Sequence, residues 1–343
     1  MPYSIVQVRS ALDRLPRVRL GHLPTPLEPL PRLSAALGEV SVSIKRDDCT
    51  GLAMGGNKTR QLEFTLGEAV ALGADCIVQG AGSQSNHCRQ TAAACARLGL
   101  DCYLVLCRDD RAPGAGEVAQ GNLLLDLLFG ANIRWTEAPL GHAFEHEKTA
   151  LAGELRARGR RPYVIGGDRG KLLGAAAYVN QMCETAQQLD GTYPDAMYVC
   201  AAGATHAGLL LGARLLGLPF PIRAMAPIVW DYDVPSAVAE TANALSAELG
   251  LPLEQPIRPG DVGHSEECVG PGYGILTREA LAAIELVART EGILLDPCYT
   301  GKAMSGLIDH VRRGTVRPGS RVLFVHTGGT PALFTYARDL LEG

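Results

Sequence analysis

Aromatic residues are scarce in this chain: they make up 5% of 343 residues, with only two tryptophans. Charge is scarce too. Lysine and arginine (32) nearly balance aspartate and glutamate (36), for a net −4 and a pI near 6.1. That balance argues against nucleic acid or an anionic membrane as the main partner. No apolar run approaches the ~18 residues a membrane span needs, although mean hydropathy is +0.07. The first residues, Met1-Pro2-Tyr3-Ser4-Ile5-Val6-Gln7-Val8-Arg9, lack the apolar block of a signal peptide. A cytoplasmic protein is therefore expected. Ten cysteines are present, but none stand in a C-x-x-C pair. This leaves no zinc-ribbon or thioredoxin-like signal, and a disulfide framework is not expected. Buried thiols acting as small hydrophobes are the reading. Internal repeats and low-complexity tracts are also missing.

Glycine, in contrast, is abundant, at 40 residues. Short apolar runs alternate with longer helical patterns, which predicts an α/β fold with a mostly parallel sheet. Strands are predicted near 42–46, 75–79, 102–107, 131–135, 162–165, 196–200, 222–227 and 321–325. Helices are predicted near 58–72, 86–98, 117–129, 141–158, 172–189, 205–216, 234–249, 277–290, 301–313 and 331–341. Leu251–Tyr273, rich in proline and glycine, reads as a long ordered loop of the kind that borders sites.

Three strand-to-helix junctions carry small residues: Gly80–His87, Ala201–Gly208 and His326–Pro331. Ligands of parallel sheets gather at such carboxyl ends. Helix starts there offer unbonded N–H groups to anions. Together they point to a ligand with more than one anionic group; singly, each is equally well a plain turn. Gly55-Gly56-Asn57-Lys58-Thr59-Arg60 opens a further helix, with Asn57 suited to the N-cap. Lys58 then lies in the first turn, where the dipole disfavours a cation. It reads as a solvated surface lysine, or as a nucleophilic amine of lowered pKa poised for an aldehyde such as that of pyridoxal 5′-phosphate (PLP).

The chain also resembles the D-cysteine desulfhydrase / 1-aminocyclopropane-1-carboxylate (ACC) deaminase family of PLP enzymes, of the tryptophan-synthase-β type. The resemblance rests on Pro24–Glu28, Ile44–Asp48, Gly55–Arg60, Gln84–Ala93, Thr205–Gly208, Pro271–Gly274, Leu295–Lys302 and His326–Gly329, in order over nearly the whole chain. It implies PLP fold type II: two domains, each a mostly parallel twisted sheet flanked by helices. The expected partition is a large PLP-binding domain of 1–49 plus 161–343 and a small domain of 50–160. It implies Lys58 as the lysine that bonds the cofactor and as the preferred base. Asn57 and Asn86 would lie at the cofactor, Asn86 facing its phenolic oxygen. Gly203, Ala204, Thr205 and His206 would cradle the phosphate. Thr300 and Thr327 would stand near the pyridine nitrogen. Ser85, Asn86 and His87 would receive the substrate carboxylate, and Tyr273 and Tyr299 would be the active-site tyrosines. The implied reaction is β-elimination from a small amino acid, D-cysteine giving pyruvate, sulfide and ammonia. The implied assembly is a homodimer.

Departures bear on the substrate. Thr300 stands where ACC deaminases carry a glutamate, which makes ring opening of ACC the less favoured alternative. Ala204, by contrast, is nearer the deaminase pattern. Arg169 and Lys171 suit a second acidic group such as the sulfonate of L-cysteate, although a solvent-facing pair is preferred. His142-Ala143-Phe144-Glu145-His146 matches a zinc-protease string, but no third ligand is evident and solvated charges such as Lys148 flank it; no metal is expected. A nicotinamide dehydrogenase would need a third glycine after Gly80-Ala81-Gly82, where Gln84-Ser85 follow. A non-catalytic PLP or amino-acid binding protein would not require Lys58 together with both tyrosines. His326 reads as support for its glycine turn.

Overall fold

The structure is a computed structural model that describes residues 1–108 and 118–342. In chain order the elements are α1 (Ile5–Leu12), β1 (Leu27–Pro29), α2 (Pro31–Leu37), β2 (Ser41–Lys45), α3 (Asn57–Ala71), β3 (Cys76–Gly82), α4 (Asn86–Leu98), β4 (Asp101–Cys107), α5 (Gly121–Leu128), β5 (Asn132–Thr136), α6 (His142–Ala157), β6 (Pro162–Val164) and α7 (Gly167–Leu189). They continue with β7 (Ala196–Cys200), α8 (Ala204–Leu216), β8 (Ile222–Met225), α9 (Val234–Glu248), β9 (Gly263–Ser265), α10 (Arg278–Glu291), α11 (Thr300–Arg312), β10 (Arg321–Val325), α12 (Thr330–Leu333) and α13 (Ala337–Glu342). No helix among the described residues is long and apolar enough to cross a membrane.

Two sheets form, in the orders β1-β2-β10-β7-β8-β9 and β5-β4-β3-β6. All pairings are parallel except β1 with β2. β6, which the expected partition assigns to the larger unit, pairs with β3 in the smaller sheet, Cys76 opposite Pro162.

Burial follows the two-residue period of a strand. Met197 and Val199 of β7 pack toward α7, α8 and α9, while Ala196, Tyr198 and Cys200 pack toward α10 and α11. Covered on both faces, β7 is buried at all five positions. The smaller sheet is covered by α3 and α4 on one face and α6 on the other. The long helix α7 packs on both α8 and α3. Gly208 permits the first of these crossings: a Cβ there would lie 2.2 Å from the Ala175 carbonyl oxygen.

A buried ionic cluster spans these layers. Arg60 of α3 donates to Asp47 (2.8 Å) and to both Glu184 oxygens (2.9 and 3.0 Å). Lys45 of β2 bonds Glu184 and the Thr25 carbonyl, and Tyr178 of α7 donates to Asp47 (2.9 Å). Burial pushes the Glu184 carboxyl up, but Arg60 and Lys45 outweigh it and hold it at about 2.

Several expectations shift. α7 begins at Gly167 rather than near 172: Asp168 favours its first turn, and Arg169 is held by Glu68 (2.5 Å) and Glu248 (2.6 Å). The helix expected over 331–341 divides into α12, a 3-10 turn and α13, with the Thr335 hydroxyl bonding back to the Ala332 carbonyl. Residue 117, the expected start of another helix, lies outside the described residues. Eight cysteines are buried, whereas Cys49 is exposed and Cys268 half-buried.

Candidate active site

A cavity of about 230 Å³ opens where the starts of α3, α4 and α8 meet the turn after β10. Asn57, Lys58, Ser85, Asn86, His87, Gly203, Ala204, Thr205, Tyr299 and Thr327 all line it. No carboxylate does among the described residues, so helix starts, amides, hydroxyls and one amine face a ligand. That set suits an anion.

The loop before Lys58 is tightly folded. Gly55 adopts φ +72°, and a Cβ there would stand 1.7 Å from the Asp48 carbonyl oxygen. The N-cap of α3 is Gly56 rather than Asn57. Asn57 instead starts the helix and turns its amide to the Thr205 hydroxyl oxygen (3.4 Å). Lys58 donates to Gln61 Oε1 (3.1 Å), and Gln61 Nε2 donates to Thr205 Oγ1 (3.0 Å). Burial lowers the Lys58 amine from 10.5 to about 8.

At α4, Ser85 caps the helix by accepting from the His87 and Cys88 N–H groups, both at 3.2 Å. Its own proton stays available, as does the first-turn N–H of Asn86. The Asn86 oxygen accepts from Arg89 (2.8 Å) and Asn122 (3.1 Å). Arginine only donates, so the amide orientation is set and Asn86 presents Nδ2 to the cavity. Burial, then Lys58 and Lys148, hold His87 well below its ordinary value, so the ring is neutral.

At α8, Gly203 is the N-cap and Ala207 is the first to bond back, to the Gly203 carbonyl. The N–H groups of Ala204, Thr205 and His206 are therefore without helical partners. Two amides already donate to the Thr205 hydroxyl, which directs its own proton outward. The cradle offers what a phosphate takes. The imidazole of His206, however, is fully buried off the wall. Its place is held by the backbone.

Tyr299 lines the cavity, and its hydroxyl shares a hydrogen bond with that of Tyr273, the rings edge-to-face at 5.9 Å. Burial, with Tyr273 beside it, raises Tyr299 well above 10.0, so it stays protonated. Lys302 anchors the Tyr273 loop through the Val269 (2.6 Å) and Gly272 (2.8 Å) carbonyls.

Thr300 is fully buried and away from the lining. Its hydroxyl donates to Asp296 (2.7 Å) and accepts from the Asp296 N–H (2.8 Å). His326 accepts from the Gly328 N–H (3.2 Å), in support of its turn. Lys171 pairs with Asp168 (3.0 Å), so both basic residues of the 166–171 segment are engaged away from the cavity. Lys148 is buried rather than solvated and bonds Glu145 at 2.9 Å, which occupies the carboxylate of the zinc-protease string.

Sequence reasoning missed Gln61 and Trp230. Gln61 had a signal, since it lies one helical turn from Lys58. Trp230, on the β8–α9 connection, lines the cavity, remains 39% exposed and packs against Tyr232 at 5.5 Å; no local pattern marks it.

Comparisons with known proteins show the family. The chain is 41% identical to a D-cysteine desulfhydrase from Klebsiella pneumoniae (strain 342) over 327 residues, covering 95% of this chain and 97% of that one. A crystal structure described as an ACC deaminase homologue superposes with a TM-score of 0.87 at 35% identity, covering 98% of each chain. Residues 18–328 match the model of a family described as pyridoxal-phosphate dependent enzyme. With the lysine, the anion cradle and the oriented amide in one cavity, the chain belongs to the pyridoxal-phosphate dependent enzyme family.

Proposed function

We propose that the protein is a carbon–sulfur lyase that converts D-cysteine and water to pyruvate, hydrogen sulfide and ammonia. The observation that carries this reading is the Lys58 amine, lowered to about 8, in a cavity that no carboxylate lines among the described residues and beside the Tyr273–Tyr299 pair. The 41% identity to a D-cysteine desulfhydrase supports the substrate.

When bound, PLP supplies an electron sink for the pair left at Cα. The first turn of α8 and the Thr205 hydroxyl would hold its phosphate, and Asn86 Nδ2 would be the donor offered to its phenolic oxygen. Thr327, on the cavity wall, would stand near the pyridine nitrogen, while the Thr300 hydroxyl is engaged by Asp296. The Ser85 hydroxyl, the Asn86 N–H and the neutral His87 ring receive the substrate carboxylate. The Lys58 amine, partly unprotonated near neutral pH, takes the Cα proton. Tyr299, kept protonated, gives a proton to the sulfur as the Cβ–S bond breaks, and Tyr273 orients that hydroxyl. A cytoplasmic location and the homodimer that the resemblance implies complete the reading.

The test is product analysis with D-cysteine, L-cysteate and ACC. Pyruvate with sulfide from D-cysteine, abolished in Lys58→Ala, is expected. Sulfite from L-cysteate or 2-oxobutyrate from ACC, with D-cysteine inert, would replace the substrate. Normal turnover in Lys58→Ala would remove the lysine from its role.

A further inference from the structure

We propose that Arg89 is a positioning residue: it acts through Asn86, fixing the direction in which that amide meets the cofactor. Arg89 lies on α4 nearly one turn beyond Asn86 and is fully buried. Nη1 donates to Asn86 Oδ1 (2.8 Å) and Asn122 Oδ1 (2.7 Å), and Nη2 donates to the Gly55 carbonyl (2.6 Å). Gly55 belongs to the loop that leads to Lys58, so the guanidinium is pinned from a second side. Asn122 Nδ2 donates to the same Asn86 oxygen at 3.1 Å and to the Gln84 carbonyl at 2.7 Å. Two donors on that oxygen leave the amide one orientation, with Nδ2 toward the cavity. A planar fork does this where a flexible ammonium would not.

The carboxyl group coupled to Arg89 is that of Asp126 on α5. Its oxygens and Arg89 Nε make no hydrogen bond among the described residues, so the two residues interact through space. Burial lowers Arg89 to about 10 and raises Asp126 to about 8, and each charge works against the other's shift. An apolar side chain would fill this space without that cost. A cation kept here serves direction rather than stability.

The test uses holoenzyme carrying Arg89→Met, Arg89→Lys or Asn122→Leu, each alone and with Asn86→Ala. Circular dichroism checks the fold. The readouts are the pH midpoint of the cofactor's visible band and the affinity of apoprotein for PLP. Folded Arg89→Met is expected to move the midpoint by about half a unit or more, the size of one net hydrogen bond, and to weaken PLP binding by roughly five-fold. Arg89→Lys and Asn122→Leu should do the same to a smaller degree. With Asn86→Ala already present, the added shift should fall to less than half. A parental midpoint in folded Arg89→Met, or an undiminished shift beside Asn86→Ala, would overturn the inference. If Arg89→Met does not fold, the other two variants carry the same comparison. The inference rests on the proposed placement of Asn86. A parental midpoint in Asn86→Ala alone would remove that placement, whereas a shift there without one in the Arg89 variants would remove only this inference.

Discussion

Two effects oppose the charge of Lys58: the amino-terminal turn of α3 and the enclosing cavity walls. Its folded value of about 8 lies below the ordinary 10.5. Between these values the unfolded chain holds a proton that the folded chain lacks, so stability rises with pH across that window. Below it, both states are charged and the folded state bears the whole penalty. In apoprotein near pH 7, Lys58→Met should therefore melt above the parent by ~2–4 °C. The difference should shrink as pH climbs through the window, and equal melting points near pH 7 would sink this account. Lys58 was legible because a cation in a glycine-framed first turn is a local anomaly. Arg89 was not, because it sits mid-helix and its meaning comes from Asn122 and Gly55, distant in sequence.

At the scale of elements, the crossing of α7 and α8 depends on Gly208. Replacing it with alanine gains helix propensity of up to about 1 kcal/mol. The new methyl, however, would press on the Ala175 carbonyl at 2.2 Å, and overpacking of this kind costs about 1–3 kcal/mol. A net loss in chemical denaturation is expected. Gly153→Ala on α6, where a Cβ meets nothing within 4 Å, should be neutral or stabilising. Elements with strong periodicity or marked ends were readable: β7 and β10 match their predicted spans, as does α4, closed by Gly99 in the left-handed conformation. α1 was overlooked although its capping box, Ser4 with Gln7, stands in the sequence. α2 announces itself only by Pro31 in its first turn. β1 and β9 have three residues each, too few for an alternating pattern to register.

Across the whole molecule, the Lys45–Asp47–Arg60–Glu184 cluster ties a strand of the larger sheet to a helix on the smaller one and to α7, which packs on both layers. Glu184→Gln leaves two buried cations short of a partner, and a loss of about 3–5 kcal/mol is expected in denaturant unfolding. The Glu184 carboxyl is held at about 2 against an ordinary 4.5. Its contribution is therefore present above 4.5 and lost as pH falls toward 2, so the variant's stability should depend less on pH across that acid range. An unchanged unfolding midpoint would show that the cluster does not bind the layers together. The order of motifs along the chain pointed to the fold, but this cluster could not be foreseen, since Arg60 and Glu184 are 124 residues apart.

The scarcity of tryptophan gives the protein an optical reporter. Only Trp135, on β5 beneath the Arg108 guanidinium, and Trp230, on the cavity wall, emit as indoles. Trp135→Phe would leave a single emitter beside the ligand. Loading that variant with PLP should quench its ultraviolet fluorescence by energy transfer to the cofactor, and an unreactive amino acid should change the residual signal. Occupancy could then be followed continuously, without turnover and without an added dye.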